Sequence, residues 1–389
     1  MGKKFDFQYI VIGAGPAGEA AALGLAGARK KVAIIDAKMS VEKAKEFATK
    51  NIAAIRGYAN LLDEHTVAIG DREFSAGIFI IATGTNLNTG EIALTNAIDF
   101  LMPDAAMKTS VPPRAVVVVG AGEKGCRAAE HFAKLGSKVV LMEMSDRILP
   151  REDKEVGETL AKYYTEKLKM LVVTDTRVVA VERDNGCKRV VFMNNGREKM
   201  VRVSAVVIAT GARPVVDLGL ENAKIKYRKT GILVDKDFRT STKNCYAIGS
   251  VLGKETSSER ASYDGSLIAN NLTTRSKNLP NYHGFSRVTR TMPEVAVVGM
   301  SEDDLVKRAR KYRKAIVEFE NGFVKLLVDH QNHIIGAVIV SPHAKYLIQE
   351  LAMAVRHHFT VLEIASTPHS MDEDNIAIKE AAKKLIKKK

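Results

Sequence analysis

Twice along this chain an uninterrupted apolar run leads into a glycine turn, a helix-period segment and a second apolar run. The first copy opens with Phe7 to Ile12 and turns through Gly13-Ala14-Gly15-Pro16-Ala17-Gly18. It continues through a helical stretch, Glu19 to Ala28, and a second run, Val32 to Ile35, that ends at Asp36. The second copy opens with Ala115 to Val119 and turns through Gly120-Ala121-Gly122-Glu123-Lys124-Gly125. A helix over Arg127 to Leu135 is stopped by Gly136, and Lys138 to Met142 leads to Glu143. Runs without polar alternation read as strands buried on both faces, as in parallel sheets between helices. An amphipathic helix is predicted from Val41 to about Ala53. Further strands are predicted around Val67, at Ile78-Phe79-Ile80-Ile81 and at Val206-Val207-Ile208, the last two each followed by Ala-Thr-Gly. The pattern is that of an α/β protein.

In each copy the acid lies 23 residues beyond the first glycine. Strand, GxGxxG turn, helix, strand and terminal acid together are the context of a dinucleotide-binding βαβ unit, whereas a lone glycine turn would be weak evidence. Gly13 and Gly120 permit the tight turn, Gly15 and Gly122 let backbone approach a pyrophosphate, and Gly18 and Gly125 let helix and strand pack closely. The helix N-termini offer N–H groups to phosphate. Asp36 and Glu143 are positioned to accept ribose hydroxyls. An acid at Glu143 favours NAD, since a 2′-phosphate would be repelled; Arg147 is the nearby residue that argues the other way. Two Rossmann-type units imply two dinucleotides on one chain.

Length and composition agree with this reading. The 389 residues suffice for two to three domains, and 46% apolar with 27% charged residues is ordinary for a folded protein. No apolar stretch reaches the ~20 residues of a membrane span. Lys3 and Lys4 before the first apolar run imitate a signal peptide until the run proves to be a glycine fingerprint followed by Glu19. Three scattered cysteines, Cys126, Cys187 and Cys245, exclude a disulfide framework and a zinc cluster, and fit reduced thiols in the cytoplasm. Lys and Arg number 59 against 45 Asp and Glu, a formal charge of +14. Six of the eight residues from Lys307 to Lys314 are basic, and the chain closes on a lysine-rich tail. Such charge attracts anionic partners but reads first as a solvated face; no RNP-type or helix-turn-helix pattern accompanies it, so nucleic acid is not expected as a partner.

The matched signals carry a resemblance. Thr83-Gly84, Thr210-Gly211-Ala212-Arg213-Pro214 and Tyr246-Ala247-Ile248-Gly249-Ser250, together with the two fingerprints, resemble the flavoprotein pyridine nucleotide-disulfide oxidoreductases. The C-terminal third adds Thr291-Met292-Pro293-Glu294, Gly322-Phe323-Val324-Lys325, Pro342-His343-Ala344 and Leu347-Ile348-Gln349-Glu350, which look like that family's dimerisation domain. Dihydrolipoamide dehydrogenase is the nearest likeness. The resemblance implies FAD on the first Rossmann unit, near Gly13, Gly15, Gly18, Asp36, Thr83, Gly84, Gly249 and Ser250. It implies NAD(H) on the second, near Gly120, Gly122, Gly125, Arg127, Glu143 and Gly211. It also implies a homodimer. The expected organisation is an FAD-binding domain in two parts, 1–108 and 216–281, an NAD-binding domain at 109–215, and a C-terminal α+β dimerisation domain at 282–389.

Against that pattern the chain departs at its chemistry. The family's redox pair, Cys-x4-Cys, belongs on the helix after the first acid, but no cysteine precedes Cys126. The family's proton-relaying histidine falls on Met371, its proline on Asp372 and its partner glutamate on Ile376, leaving His369 as the first histidine of the motif. A shifted alignment would pair His369 with Glu373; otherwise His369 is an ordinary histidine. Where the family has a glutamate near the flavin this chain has Arg127, which would either place positive charge there or be a solvated helix residue. Ser250 replaces an aspartate that holds the ribityl chain, and a hydroxyl bonds more weakly. All three cysteines read as small structural residues, and lipoamide turnover through a dithiol is not expected. The sequence therefore predicts an NADH oxidoreductase that passes electrons through FAD to a small-molecule or protein acceptor other than a disulfide, with no catalytic residue identified. The alternative is a degenerate nucleotide-binding homodimer, a sensor or scaffold.

Overall fold

The computed structural model describes residues 4–386 apart from 91, 96–97, 254–256 and 321. Lys3 and the tail lysines 387–389 noted above lie outside the described residues. The chain forms two compact units, Met1–Asn86 with Ala212–Asn281, and Leu87–Gly211 with Tyr282–Lys389.

In the first unit the strands Ile52–Ile55, Val32–Ile35, Phe7–Ile12 and Arg72–Ile81 lie side by side, and Cys245–Ala247 adds to the last in parallel. The register sets Ile12 opposite both Ile35 and Ile81, and Ile81 opposite Ala247. The carboxyl ends of four strands therefore stop in line. Their side chains are buried on both faces, as the uninterrupted apolar runs required. The helices Pro16–Gly27 and Ser258–Thr273 cover one face; Leu61, Val67, Leu218, Leu220 and Ile225 pack on the other. The amphipathic helix is shorter than its pattern suggested. It runs Val41–Thr49, ends as Asn51 takes a left-handed φ of 59°, and gives way to the strand Ile52–Ile55, because pairing Ile52–Ile55 with Val32–Ile35 satisfies a whole strand of backbone groups.

The second unit repeats the parallel arrangement in the order Leu171–Val173, Lys138–Met142, Ala115–Val119, Ala205–Ile208. Its C-terminal segment is a five-stranded antiparallel sheet, ordered Ser286–Thr289, Glu294–Gly299, Ile334–Ser341, Gly322–Val328, Arg313–Phe319. The helices Ala344–His357, Val361–Ser366 and Glu373–Leu385 pack against it. The expected division put residues 87–108 with the first Rossmann unit and 282–389 in a domain of their own. In the structure Leu87, Leu94, Ile98 and Phe100 enter one apolar cluster with Val117, Val119, Val206 and Ile208 of the second parallel sheet, and Leu101 exchanges backbone hydrogen bonds with Val206 and Ile208. The C-terminal sheet joins the same unit because Val295, Phe323, Val338 and Val340 enter one apolar cluster with Phe132, Leu160 and Tyr164. Among the described residues no helix is long and apolar enough to cross a membrane.

One buried ion network ties these parts of the second unit together. Lys325 lies in the fully buried strand Gly322–Val328 and has no exposed side-chain surface. Its Nζ is 2.9 Å from Asp153 and 2.9 Å from Glu155, and it also donates to Glu302. Burial pushes the Glu155 and Glu302 carboxyls up, but it is outweighed by the sum of the Lys325 hydrogen bond and charge with further hydrogen bonds, from backbone at Glu155 and from Lys314 and Tyr312 at Glu302, and both are held below the usual carboxylate value. Such lowered carboxylates contribute stability above their unfolded pKa and lose it as pH falls through the folded one. Lys325→Met is expected to destabilise the protein by about 3–5 kcal/mol at pH 7, since it strands buried carboxylates without their cation. In thermal melts the gap between wild type and variant should narrow below roughly pH 4, where the carboxylates protonate.

Candidate functional site

The two glycine fingerprints are built alike. Gly13 has φ +110° and Gly120 +96°, a region that side chains other than glycine rarely adopt. A Cβ on Gly13 would stand 2.2 Å from the Ala82 carbonyl oxygen, and one on Gly120 2.5 Å from that of Ala209. At Gly18 and Gly125 a Cβ would fall 1.9 Å and 1.8 Å from the carbonyl oxygens of Gly13 and Gly120. Any side chain at these four positions would push helix and strand apart. At Gly15 and Gly122 nothing lies within 4 Å of the missing Cβ. Each is the N-cap of a helix, Pro16–Gly27 or Glu123–Lys134, and neither cap is filled by a side chain. The first-turn N–H groups thus face open space of the kind a pyrophosphate occupies, and the residues present fit one dinucleotide at each loop.

The acids have a second duty that spacing alone did not reveal. Asp36 accepts hydrogen bonds from the backbone N–H of Ala14 (2.8 Å) and Lys38 (2.7 Å). Glu143 does the same with Ala121 (2.6 Å) and Ser145 (2.9 Å). Each carboxylate grips the glycine loop from the end of the neighbouring strand. With about four acceptor sites apiece, both can still take ribose hydroxyls. Arg147, the residue that could have answered a 2′-phosphate, pairs instead with Asp146 (3.2 Å) and Asp303 (3.8 Å).

Around the first loop the structure brings the other sequence candidates to the same sheet edge. Thr83 Oγ1 donates to the Val215 carbonyl (2.8 Å), and the Val215 N–H to the Gly84 carbonyl (3.0 Å), locking the Ala-Thr-Gly corner. Thr210 makes the matching bond to Asn88 (2.6 Å) ahead of Gly211 in the second unit. Gly249 follows the strand Cys245–Ala247 and approaches the first helix so closely that a Cβ would lie 3.0 Å from that of Ala17. Ser250 sits in the short 3-10 turn Gly249–Leu252 beside it. Arg127 lies on the second unit's helix, about one-third exposed, 3.8 Å from Glu123 one turn earlier, the geometry of a solvated helix pair.

Three features refine the sequence reading. His369 does not meet Glu373, which accepts the Glu320 N–H (3.2 Å). Its Nδ1 bonds the Thr367 carbonyl (2.8 Å) and its Nε2 lies 3.1 Å from Glu350, with the imidazole 4% exposed. Cys187 is exposed at the start of a hairpin strand, so it is no buried structural residue, whereas Cys126 and Cys245 are buried. Burial, then the Glu130 charge, drives the Cys126 thiol far up; burial pushes the Cys245 thiol up to about 12. All three are free, on separate elements. Sequence reading also missed Glu130, 5% exposed, which accepts from the Tyr164 hydroxyl (2.6 Å) and the Met292 N–H (2.7 Å). It is raised by burial, and its only sequence signal was an acid on the inner face of a helix.

Comparison with known proteins agrees with this geometry. Residues 38–265 match the family described as pyridine nucleotide-disulphide oxidoreductase, and residues 285–371 match that family's dimerisation domain. Dihydrolipoyl dehydrogenase of Staphylococcus aureus is 31% identical over 357 residues, 85% of this chain and 74% of the relative. Mercuric reductase of the same organism is 28% identical over 327 residues, 80% of this chain; the chain spans 60% of that relative's length. The flavoprotein disulfide reductase RclA of Escherichia coli superposes with a TM-score of 0.86 at 19% identity, covering 98% of this chain and 100% of the other. LpdA of Mycobacterium tuberculosis does so with 0.84 at 22%, covering 98% and 100%. Two dinucleotide loops of one design, on a chain whose two family matches run from residue 38 to 371, lead to one conclusion: this chain belongs to the pyridine nucleotide-disulphide oxidoreductase family, whose members bind FAD and use pyridine nucleotide.

Proposed function

We propose that this chain takes hydride from NADH onto FAD and passes the electrons to an acceptor other than a disulfide of its own. One observation carries the reading. Both dinucleotide loops are complete down to their acid–amide hydrogen bonds, while the chain's thiols are either buried or isolated. When bound, NADH supplies the hydride and FAD the two-electron exchange; the chain's own residues bind and orient. We assign FAD to the loop Gly13–Gly18, with Asp36 on its ribose and Thr83, Gly84, Gly249 and Ser250 at the same edge. The nicotinamide nucleotide belongs to the loop Gly120–Gly125 with Glu143 on its ribose, and NAD is preferred because an acid at the strand end would repel a 2′-phosphate while Arg147 is held by carboxylates. Gly211 and Arg127 complete that side. The dimerisation-domain match supports a homodimer, and free thiols throughout support a reducing, cytoplasmic setting.

A visible spectrum of the purified protein is expected to show flavin bands that bleach on anaerobic addition of NADH, and far less readily with NADPH. A protein that stays colourless after incubation with FAD would overturn the reading in favour of a nucleotide-binding scaffold. Glu143→Gln should weaken NADH binding by about tenfold or more, read as the NADH dependence of the bleaching rate, since it removes a charge-assisted acceptor.

Thiol counting tests the absence of dithiol chemistry. At pH 8 one thiol per chain, Cys187, is expected to react with a disulfide reagent in the native protein, and three after denaturation. Cys126 and Cys245 stay protonated and enclosed because their pKa values are raised above the working pH. The native count should not rise after reduction with NADH; a gain of two thiols would reveal a redox disulfide.

A further inference from the structure

The two glycine loops share a design but differ in how their middle residue is held. Ala14 in the first loop is partly exposed, whereas Ala121 in the second is fully buried. Six residues beyond its first glycine the first loop has Glu19, whose carboxylate pairs with Lys43. The same position in the second loop is Cys126, which is buried and donates its thiol proton to the Ala121 carbonyl (Sγ–O 3.3 Å). Leu149 N–H donates to that carbonyl oxygen as well (2.8 Å), and Glu143 accepts the Ala121 N–H (2.6 Å). Both peptides that flank Ala121 are therefore fixed, one through its N–H and the other through its C=O.

A trans peptide is planar, with its C=O and N–H pointing in opposite directions. The Ala121 carbonyl and the Gly122 N–H belong to one such plane. Turning the carbonyl inward onto Cys126 and Leu149 turns the Gly122 N–H away from them, at a helix N-cap where nothing lies within 4 Å of a Cβ. Among the described residues no backbone carbonyl accepts that N–H. A flipped peptide would turn a carbonyl oxygen towards a bound anion, and glycine at position 122 gives little steric resistance to a flip. The clamp on the carbonyl supplies it. Two neighbours hold the clamp in place. Leu149 has a left-handed φ of 47°, which a bulky residue keeps only where its surroundings over-determine it; its side chain is buried and its own carbonyl accepts the Glu152 N–H (2.9 Å). Tyr164 lies beside the Cys126 sulfur and gives its proton to Glu130 (2.6 Å), which also accepts the Met292 N–H (2.7 Å). Burial keeps the thiol protonated, and so a donor.

We propose that Cys126 is a positioning residue for nicotinamide-nucleotide binding: its thiol holds the Ala121–Gly122 peptide in the sense that offers the Gly122 N–H to the cofactor's pyrophosphate. The proposal rests on the assignment of that nucleotide to the loop Gly120–Gly125. Cys126 acts through the peptide without touching the nucleotide, and it exchanges no electrons. The contacts it needs are all formed in the structure as it stands.

The test is a calorimetric titration of the full-length, flavin-loaded protein with NAD⁺, with flavin content read from the visible spectrum. Cys126→Val is similar in size but has no proton to donate. It should weaken NAD⁺ binding about threefold to tenfold with flavin content unchanged, and Cys126→Ser, which keeps a donor, should stay within about twofold of wild type. In steady-state turnover the loss should fall on KM for NADH, with kcat little changed. Cys187→Ser, at the exposed hairpin, should change nothing. The infrared S–H stretching band that disappears in Cys126→Val should shift when NAD⁺ binds to the wild type, because an anion on the Gly122 N–H polarises the carbonyl of the same peptide. A thiol that merely fills space would not respond. Far-UV circular dichroism identifies the variants that fold. NAD⁺ bound as tightly by a folded Cys126→Val variant, or an S–H band unmoved by NAD⁺, overturns the proposal. Wild-type protein that carries flavin but binds no NAD⁺ overturns instead the nucleotide assignment beneath it.

Discussion

A carboxylate at the end of a parallel strand, accepting the backbone N–H of the residue between two glycines on the next strand, is the contact from which the rest of this molecule follows. Asp36 makes it to Ala14 and Glu143 to Ala121. A glycine loop by itself is the most flexible element a chain can carry, and its ordering costs more entropy than that of any other residue type. Two charge-assisted hydrogen bonds per carboxylate offset that cost and aim the helix N-terminus outward. The loop is then preformed for an anion.

That contact constrains the sheets in turn. For Asp36 to reach Ala14, the strands Phe7–Ile12 and Val32–Ile35 must end together, and the register sets Ile12 opposite Ile35. The same holds for Val119 and Met142 in the second unit. Helix and sheet must also approach within the reach of a glycine, which leaves no room for a Cβ at Gly18 or Gly125. The nucleotide loop, the strand register and the close helix packing are one requirement met at three levels.

Beyond the loops the three thiols lie apart, on separate elements. A disulfide-exchanging enzyme needs a low-pKa thiolate in reach of its target. Here Cys126 and Cys245 lie where burial keeps them protonated, and Cys187 is exposed at a hairpin. His369, the histidine left of the family's C-terminal motif, has one ring nitrogen on a backbone carbonyl and the other facing Glu350.

The linear order of residues determined both fingerprints, both acids and the strands Phe7–Ile12, Val32–Ile35, Ala115–Val119 and Lys138–Met142, with the same limits in sequence and structure. These features are local. Glycine spacing, apolar runs and a strand-end acid act within some 30 residues, so their geometry is written in consecutive positions. Only tertiary structure decided the rest. The helix after Asp36 stops at Thr49 because the next residues pair with a strand already formed. Lys325 is a core residue because Asp153, Glu155 and Glu302 arrive from distant segments to neutralise it. Glu130 meets Met292 and His369 meets Glu350, across separations of 162 and 19 residues. Burial and charge pairing depend on which surfaces pack together, and no periodicity in the chain encodes that.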